Sequence, residues 1–280
     1  MITALDHIVL VCPDLEAAIA DYSALLGYAP AWQAARDGIE TALFVVDNTA
    51  LELVAPQPGS NGADALRAMT ADGARLTSLA YRTDDIDACH HQFTRRGLAP
   101  GDITRADSAD TRTGAVRSWR RFRVPDVKMA GIKSFILERS DSMPKKNDLG
   151  AGAVRTLDHI VITTPNPDRA VANYGARFGL RLALDRTAEQ WKTRFLFFRL
   201  GGLTLEVVTR LGVDHDLSGE DGFGGLTWAV DDIHAAHARL VAAGRTLSEV
   251  RTGRKPGTHV FTVRDGTQGV PTLFISHSPR

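Results

Sequence analysis

Cysteine is scarce in this chain: 280 residues contain two, Cys12 and Cys89. They form no CxxC pair and no zinc-ribbon spacing, which excludes a disulfide framework and points to a reducing compartment. Both read as small buried hydrophobes. Long apolar runs are also missing, and nothing approaches the ~20 residues of a membrane-spanning helix. The opening Met1-Ile2-Thr3-Ala4-Leu5-Asp6 lacks the basic start and apolar stretch of a signal peptide, so the expected location is cytoplasmic. Net charge is absent as well, with 33 Lys and Arg against 33 Asp and Glu. That balance excludes the clustered basic surface of a nucleic-acid binder and of a polybasic membrane-surface protein. No GxGxxG, Walker loop, GxSxG or HExxH occurs, so nucleotide-dependent and serine-hydrolase chemistry have no motif.

What is present is a soluble globular composition, 44% hydrophobic and 24% charged, long enough for one large or two ordinary domains. It also contains a repeat. Leu5-Asp6-His7-Ile8-Val9-Leu10 returns as Leu157-Asp158-His159-Ile160-Val161-Ile162, 152 residues later. Pro13, Tyr22 and Gly27 meet Pro165, Tyr174 and Gly179 at the same offset, and Leu51-Glu52-Leu53-Val54 meets Leu205-Glu206-Val207-Val208 at 154. Each half is doubled again. Leu76–Tyr81 precedes Asp84-Asp85, and Leu226–Val230 precedes Asp231-Asp232, a short strand running into an acidic helix cap. Gly27, Gly97, Gly179 and Gly244 follow the amphipathic stretches as helix stops. Asp47-Asn48 and Gly201-Gly202 suit hairpin turns. The pattern predicts four βαβββ units of about 70 residues, near 3–57, 74–140, 155–211 and 222–279. Residues 1–140 form the first domain, 141–154 a linker rich in small and polar residues, and 155–280 the second domain.

Four such units, two of them opening on Leu-Asp-His, resemble the vicinal oxygen chelate superfamily of glyoxalases, epimerases, extradiol dioxygenases and drug-resistance proteins. The first half resembles its glyoxalase-like domains through Leu51-Glu52-Leu53-Val54-Ala55-Pro56 and Gly114–Arg120. The resemblance implies an α+β fold in which four βαβββ modules form two cupped mixed sheets, with the helices packed outside. It also implies a divalent metal in the cup, held from the first and last strands of each unit. Carried over residue by residue, it implies His7, Glu52 and Glu138 as metal ligands in the first domain, with Ser78 where a His or Gln is expected. In the second domain it implies a weaker site of His159 and Glu206, with Gly225 at the opening place of the last unit and Ser276 near its closing one. His277, one residue on, needs a bulge to reach that site. Nitrogen and carboxylate donors suit Zn, Ni, Mn, Fe or Co alike, and the alternative for the second cup is a degenerate copy or a binding cup without a metal.

Glu52, Glu138 and Glu206 interrupt apolar strands, and a buried carboxylate needs a metal, an arginine or a proton. Glu138 or Glu52 is the candidate general base. Arg117 and Trp119 share one strand face and, with Ser78, are candidate substrate-binding residues for an anionic or aromatic molecule. The expected activity is that of a metal-dependent isomerase, epimerase or lyase on a small oxygenated metabolite. The alternative is a drug- or small-molecule-sequestering protein, with an extradiol dioxygenase behind both. A homodimer is compatible with the sequence; nucleic acid and membrane are not expected partners.

Overall fold

The computed structural model describes residues 1–60, 63–139, 141, 143–144 and 150–278. Of the expected linker 141–154, residues 142 and 145–149 lie outside them, as does residue 140 of the first domain. The first half runs β1 (Ile2–Val11), α1 (Leu15–Leu26), β2 (Trp32–Arg36), β3 (Ile39–Val45), β4 (Ala50–Pro56), α2 (Asp64–Met69), β5 (Arg75–Thr83), α3 (Ile86–Arg95), β6 (Thr104–Ala109), β7 (Val116–Val124) and β8 (Lys133–Arg139). The second runs β9 (Val154–Thr163), α4 (Pro167–Ala170) continued as a π-helical turn over Val171–Arg177, β10 (Arg181–Ala188), β11 (Thr193–Leu200), β12 (Leu203–Arg210), β13 (Gly222–Val230), α5 (Ile233–Ala242), β14 (Arg251–Thr252), β15 (Thr258–Val263) and β16 (Thr272–His277).

Each half is one eight-stranded mixed sheet, ordered β2-β3-β4-β1-β5-β8-β7-β6 and β10-β11-β12-β9-β13-β16-β15-β14. This is the four-unit α+β architecture expected from the repeat. The helix starts follow from their caps. The side chains of Asp14, Asp85, Asn166 and Asp232 each accept from a backbone N–H three residues on, at 2.9–3.0 Å. Of the paired aspartates, the second is the cap in both cases.

In each sheet the side chains alternate between two faces. Ile8, Leu10, Leu51, Leu53, Leu79 and Tyr81 point to the convex face and are fully buried. Their counterparts Ile160, Ile162, Leu205, Val207, Leu226 and Trp228 do the same. The two convex faces share one core, with α1, α3, α4 and α5 between the sheets. Phe178 lies 5.1 Å from Tyr81 and 5.0 Å from Phe93, ring centre to ring centre, and Tyr22 Oη donates to Thr267 O at 3.3 Å. The Arg239 guanidinium donates to the carbonyls of Ala24, Leu25 and Gly152. Gly152 is a glycine of necessity: its φ is +72°, and a Cβ there would run into the backbone of α5. Helices α1, α3, α4 and α5 are thus outside each cup, as expected, but inside the molecule.

The two cups differ. The edge strands β2 and β6 meet, so the first sheet closes almost into a barrel: Trp32 Nε1 donates to Ser108 Oγ at 2.9 Å and Thr111 N to Gln33 O at 2.8 Å. Helix α2, which the repeat pattern does not contain, lies across part of its concave face, packing Leu66 and Met69 on Val9, Val11 and Val54. The second sheet ends on β10, exposed along nearly its whole length. Among the described residues, no helix is long and apolar enough to cross a membrane.

Candidate active site

His7 and Glu52 meet inside the first cup. A register irregularity between Leu5 and His7 turns His7 onto the concave face, where β4 runs parallel to β1 with Val9 opposite Glu52. His7 Nε2 lies 3.4 Å from Glu52 Oε2, and His7 Nδ1 lies 2.8 Å from Asp6 Oδ1. Asp6 holds Arg139 Nε at 2.5 Å through its other oxygen. Burial works against charge on His7, but the Asp6 hydrogen bond and the nearby carboxylates outweigh it and raise the imidazole pKa. Burial also opposes ionisation of Asp6, and there His7 and Arg139 prevail, lowering its pKa.

Arg117 completes the group. Its side chain is 12% exposed and lies between two indoles, with Cζ 5.3 Å from the centre of Trp32 and 6.0 Å from Trp119. Its partners are poor for so enclosed a cation. Nε is 3.8 Å from Asp141 Oδ2 with no hydrogen bond among the described residues, and Nη2 faces the Met143 thioether at 3.6 Å. Burial and the charge of Arg139 lower its pKa. Ser78 lies on the same concave face opposite Val9, buried, with its hydroxyl 3.2 Å from that of Thr77.

Glu138 does not join this group. Arg120 pairs with Glu138 and Phe122 with Ile136 across β7 and β8, and Phe122 and Ile136 are core residues of the convex face. By the two-residue period of a strand, Glu138 shares that face. It lies 3.4 Å from Arg120, which in turn grips Asp87 of α3 with two bonds of 2.8 Å. The residue that β8 sends into the cup at that end is Arg139. Of the expected ligands His7, Glu52 and Glu138, the structure unites the first two only.

The second cup repeats the frame. His159 Nδ1 lies 2.7 Å from Asp158 Oδ1, and Nε2 lies 3.5 Å from Glu206 Oε2. Thr227, opposite His159 on β13, places its hydroxyl 2.8 Å from the same Nε2. His277 needs no bulge to take part. Thr272, Phe274 and Ser276 are the buried set of β16, so His277 faces the cup and meets Asp158 Oδ2 at 2.6 Å. Burial raises the pKa of Glu206, against the pull of His159 and Arg254. Arg254 lies over Trp191 at 4.1 Å, and Phe195 and Phe197 stack along the concave face of β11 toward Glu206.

The sequence match agrees with this duplicated frame. A family model for the glyoxalase-like domain matches residues 5–155, and one for the glyoxalase, bleomycin-resistance protein and dioxygenase superfamily matches residues 156–270. The chain belongs to this superfamily. No curated protein matches it significantly. Among solved structures, this glyoxalase-like chain is similar to a triple mutant of 4-hydroxymandelate synthase from Streptomyces coelicolor, with a TM-score of 0.72 at 14% identity over 100% of this chain and 95% of that one. It is also similar to the Mn(II)-bound glyoxalase from Novosphingobium aromaticivorans, with a TM-score of 0.63 at 15% identity over 98% of this chain and 82% of that one. At these identities the likeness is one of fold.

The glyoxalase-like fold implies a divalent metal, and the ladder tests whether these residues suit one. In every unit the first-strand position lies seven residues before the helix cap: His7 before Asp14, Ser78 before Asp85, His159 before Asn166 and Gly225 before Asp232. Ile8 faces Leu51 across the parallel pair of unit one, and Leu79 faces Ser134 across that of unit two. The place equivalent to Glu52 is therefore Phe135. By the same register, Ile160–Leu205 against Leu226–Thr272 makes Leu273 the equivalent of Glu206. Each cup presents one His–Glu pair where the symmetric frame has room for two. Serine and phenylalanine stand in the other places of the first cup, glycine and leucine in those of the second. No group of three or more His, Cys, Asp and Glu side chains among the described residues is arranged to hold a metal. With Arg117 and Arg139 facing the first pair and Arg254 near the second, the donor sets do not fit a divalent cation. The signal that finds this is the cap-to-strand spacing together with the ladder register; the recurring Glu alone misleads at Glu138.

Proposed function

We propose that the protein is a small-molecule enzyme of the isomerase, epimerase or lyase kind whose chemistry is proton transfer in the first cup. The observation that supports this is the Asp6–His7–Glu52 chain set beside the enclosed, poorly partnered guanidinium of Arg117. Arg117 binds an anionic oxygen of an oxygenated metabolite, and Trp32 and Trp119 hold the guanidinium in place. Glu52 removes a proton from the carbon next to a carbonyl or carboxyl group. The electron pair moves onto the oxygen, where the fixed charge of Arg117 meets it. His7, whose pKa, against burial, is raised by the Asp6 hydrogen bond and Glu52, is the group that returns a proton to carbon or to the leaving group. Ser78 lies on the floor of the same cup and lends it a hydroxyl.

The test is deuterium incorporation from D2O into 2-oxo and 2-hydroxy acids, followed by NMR, with metal analysis of the same preparation. The expected result is exchange that survives chelators and is lost in Glu52→Gln and in Arg117→Met. Exchange that requires about one bound metal per chain, or that persists in Glu52→Gln, overturns this reading. A sequestering role is the second reading, and the second cup favours it: Thr227 occupies the His159 nitrogen that would otherwise act, while Phe195, Phe197 and Trp191 offer a binding wall. Tight ligand binding without exchange in either cup would support it.

A further inference from the structure

The place equivalent to Glu52 in the second unit is Phe135, and its surroundings have changed sign. Arg121 and Arg123 both lie on its ring, with Cζ 5.7 Å and 5.9 Å from the ring centre. Both are exposed on the concave face of β7, because Arg121 pairs with Leu137 and Arg123 with Phe135 while Phe122 and Val124 fill the core. Lys133 enters the same face at the start of β8, opposite Ser78. Arg123 has one acidic partner, Asp126, at 2.5 Å. Lys133 Nζ has the Met69 thioether at 3.9 Å, and Arg121 has only the Phe135 ring among the described side chains. The same strand carries Arg117 four residues earlier on the same face, roughly 13 Å away at about 3.3 Å per residue. A chain with no net charge thus concentrates four cations along one inner wall of one cup, interleaved with Trp119 and Phe135. Guanidiniums held on rings repel one another unless an anion lies between them.

We propose that the first cup takes a small molecule with an anionic group at each end. One end, a carboxylate, lies at Arg117 beside His7 and Glu52. The other, a phosphate or phosphonate, lies between Arg121, Arg123 and Lys133 on the Phe135 ring. Three cations on one face suit the greater charge of a phosphoryl group over that of a second carboxylate. A divalent cation and a ligand of this kind are opposites, so Phe135 at the place equivalent to Glu52 and the arginines on its ring both favour an anion over a cation there. This proposal rests on the reading of Arg117 and Glu52 as the reaction centre, and the experiment separates the two.

The probes are the ω-phosphonocarboxylates from phosphonoacetate to 6-phosphonohexanoate and, as controls, the matching carboxylates without phosphonate. Binding is followed on the full chain by calorimetry and by NMR of the arginine Nε–H groups. The expected result is that affinity rises at least tenfold from the plain carboxylate to its phosphono form at one preferred chain length. The Arg121→Ala/Arg123→Ala variant should bring that compound back to the affinity of the plain carboxylate without changing the latter. Arg117→Met should weaken both. If plain carboxylates bind at Arg117 and the phosphonate adds less than twofold at every length, the second seat is refuted and the reaction-centre reading stands. If neither series moves the Arg117 signal, both fall. Lys133→Met distinguishes a folded but empty variant from a misfolded one, because it removes one charge at the surface of the same seat and should cost a smaller, still measurable part of the phosphonate effect.

Discussion

Replacing Arg139 by methionine tests the charged frame behind His7. Asp6 is 2% and Arg139 5% exposed at the side chain, and they meet at 2.5 Å. Methionine keeps the aliphatic volume and removes the guanidinium, leaving Asp6 buried with only the His7 ring as partner. Breaking a buried pair from one side costs about 3–5 kcal/mol, because the remaining charge stays desolvated. His7 still satisfies one oxygen, so the lower end, about 3 kcal/mol, is expected. That is a large part of a total stability of ~5–15 kcal/mol. With a urea slope of about 3 kcal/mol/M, it moves the midpoint down by about 1 M. Asp6 has a folded pKa below its unfolded value. Its contribution is therefore present above the unfolded value of about 3.9 and lost as pH falls through the lower folded one. In Arg139→Met this acid limb should shrink, and Asp6→Asn/Arg139→Met should cost less than the sum of the single changes. A loss below about 1 kcal/mol, the range of exposed pairs, with an unchanged acid limb would show that the pair is not the buried anchor argued here.

Three other outcomes follow from the placement of single groups. Glu138→Gln should leave ligand binding in the first cup unchanged in the NMR titrations and cost under about 1 kcal/mol in urea, since its partner Arg120 is itself half exposed and held by Asp87. Glu206 has its pKa raised by burial, so its charged form opposes folding as pH rises through the folded value. Glu206→Gln should raise the melting temperature at pH 8 and change it little at pH 4, as calorimetry would show. Arg239→Met leaves the carbonyls of Ala24, Leu25 and Gly152 without their donor at the junction of the halves. It should cost about 1–3 kcal/mol and expose amides of α1 and β9 together in hydrogen exchange.

The sequence made the units legible because each carries its own punctuation, an aspartate or asparagine cap and a glycine stop, and the first and third add a matching Leu-Glu strand. The caps at Asp14, Asp85, Asn166 and Asp232 and the positive φ of Gly27, Gly97, Gly179 and Gly244 follow from local chemistry alone. His7 with Glu52, and His159 with Glu206, were legible for the same reason, since the parallel pairing that joins them lies within one unit. Glu138 was not. Its neighbours Ile136 and Leu137 are both apolar and both buried, so the alternation that assigns a face is invisible in the sequence, and only the pairing with Arg120 settles it. His277 was misjudged for the mirror-image reason: Ser276, the polar residue that looked inward, is on the core face. Helix α2 and the closure of β2 on β6 depend on contacts between distant residues and leave no periodic trace.

The duplicated Asp–His–Glu frame explains how the two cups could diverge without loss of fold. The aspartate ties the ring of the next residue and reaches across to the last strand of the following unit, Asp6 to Arg139 and Asp158 to His277. That tie lies beside the central β1–β5 and β9–β13 pairs and keeps the histidine in place whatever stands at the other two positions of the cup. Substitution at three of those positions, Ser78, Phe135 and Leu273, alters the concave face, whereas Gly225 has a φ of +141° and a Cβ there would run into Pro271 O, so the backbone requires glycine. In the first cup it has put phenylalanine and a row of arginines opposite the histidine. In the second it has put leucine and glycine there, left Glu206 buried beside His159, and lined the wall with Phe195 and Phe197. Equal numbers of acids and bases over the whole chain conceal a row of cations along one wall of the first cup and, in the second, a Glu206 that burial keeps from ionising beside an Asp158 whose pKa, against burial, His159 and His277 lower to about 2.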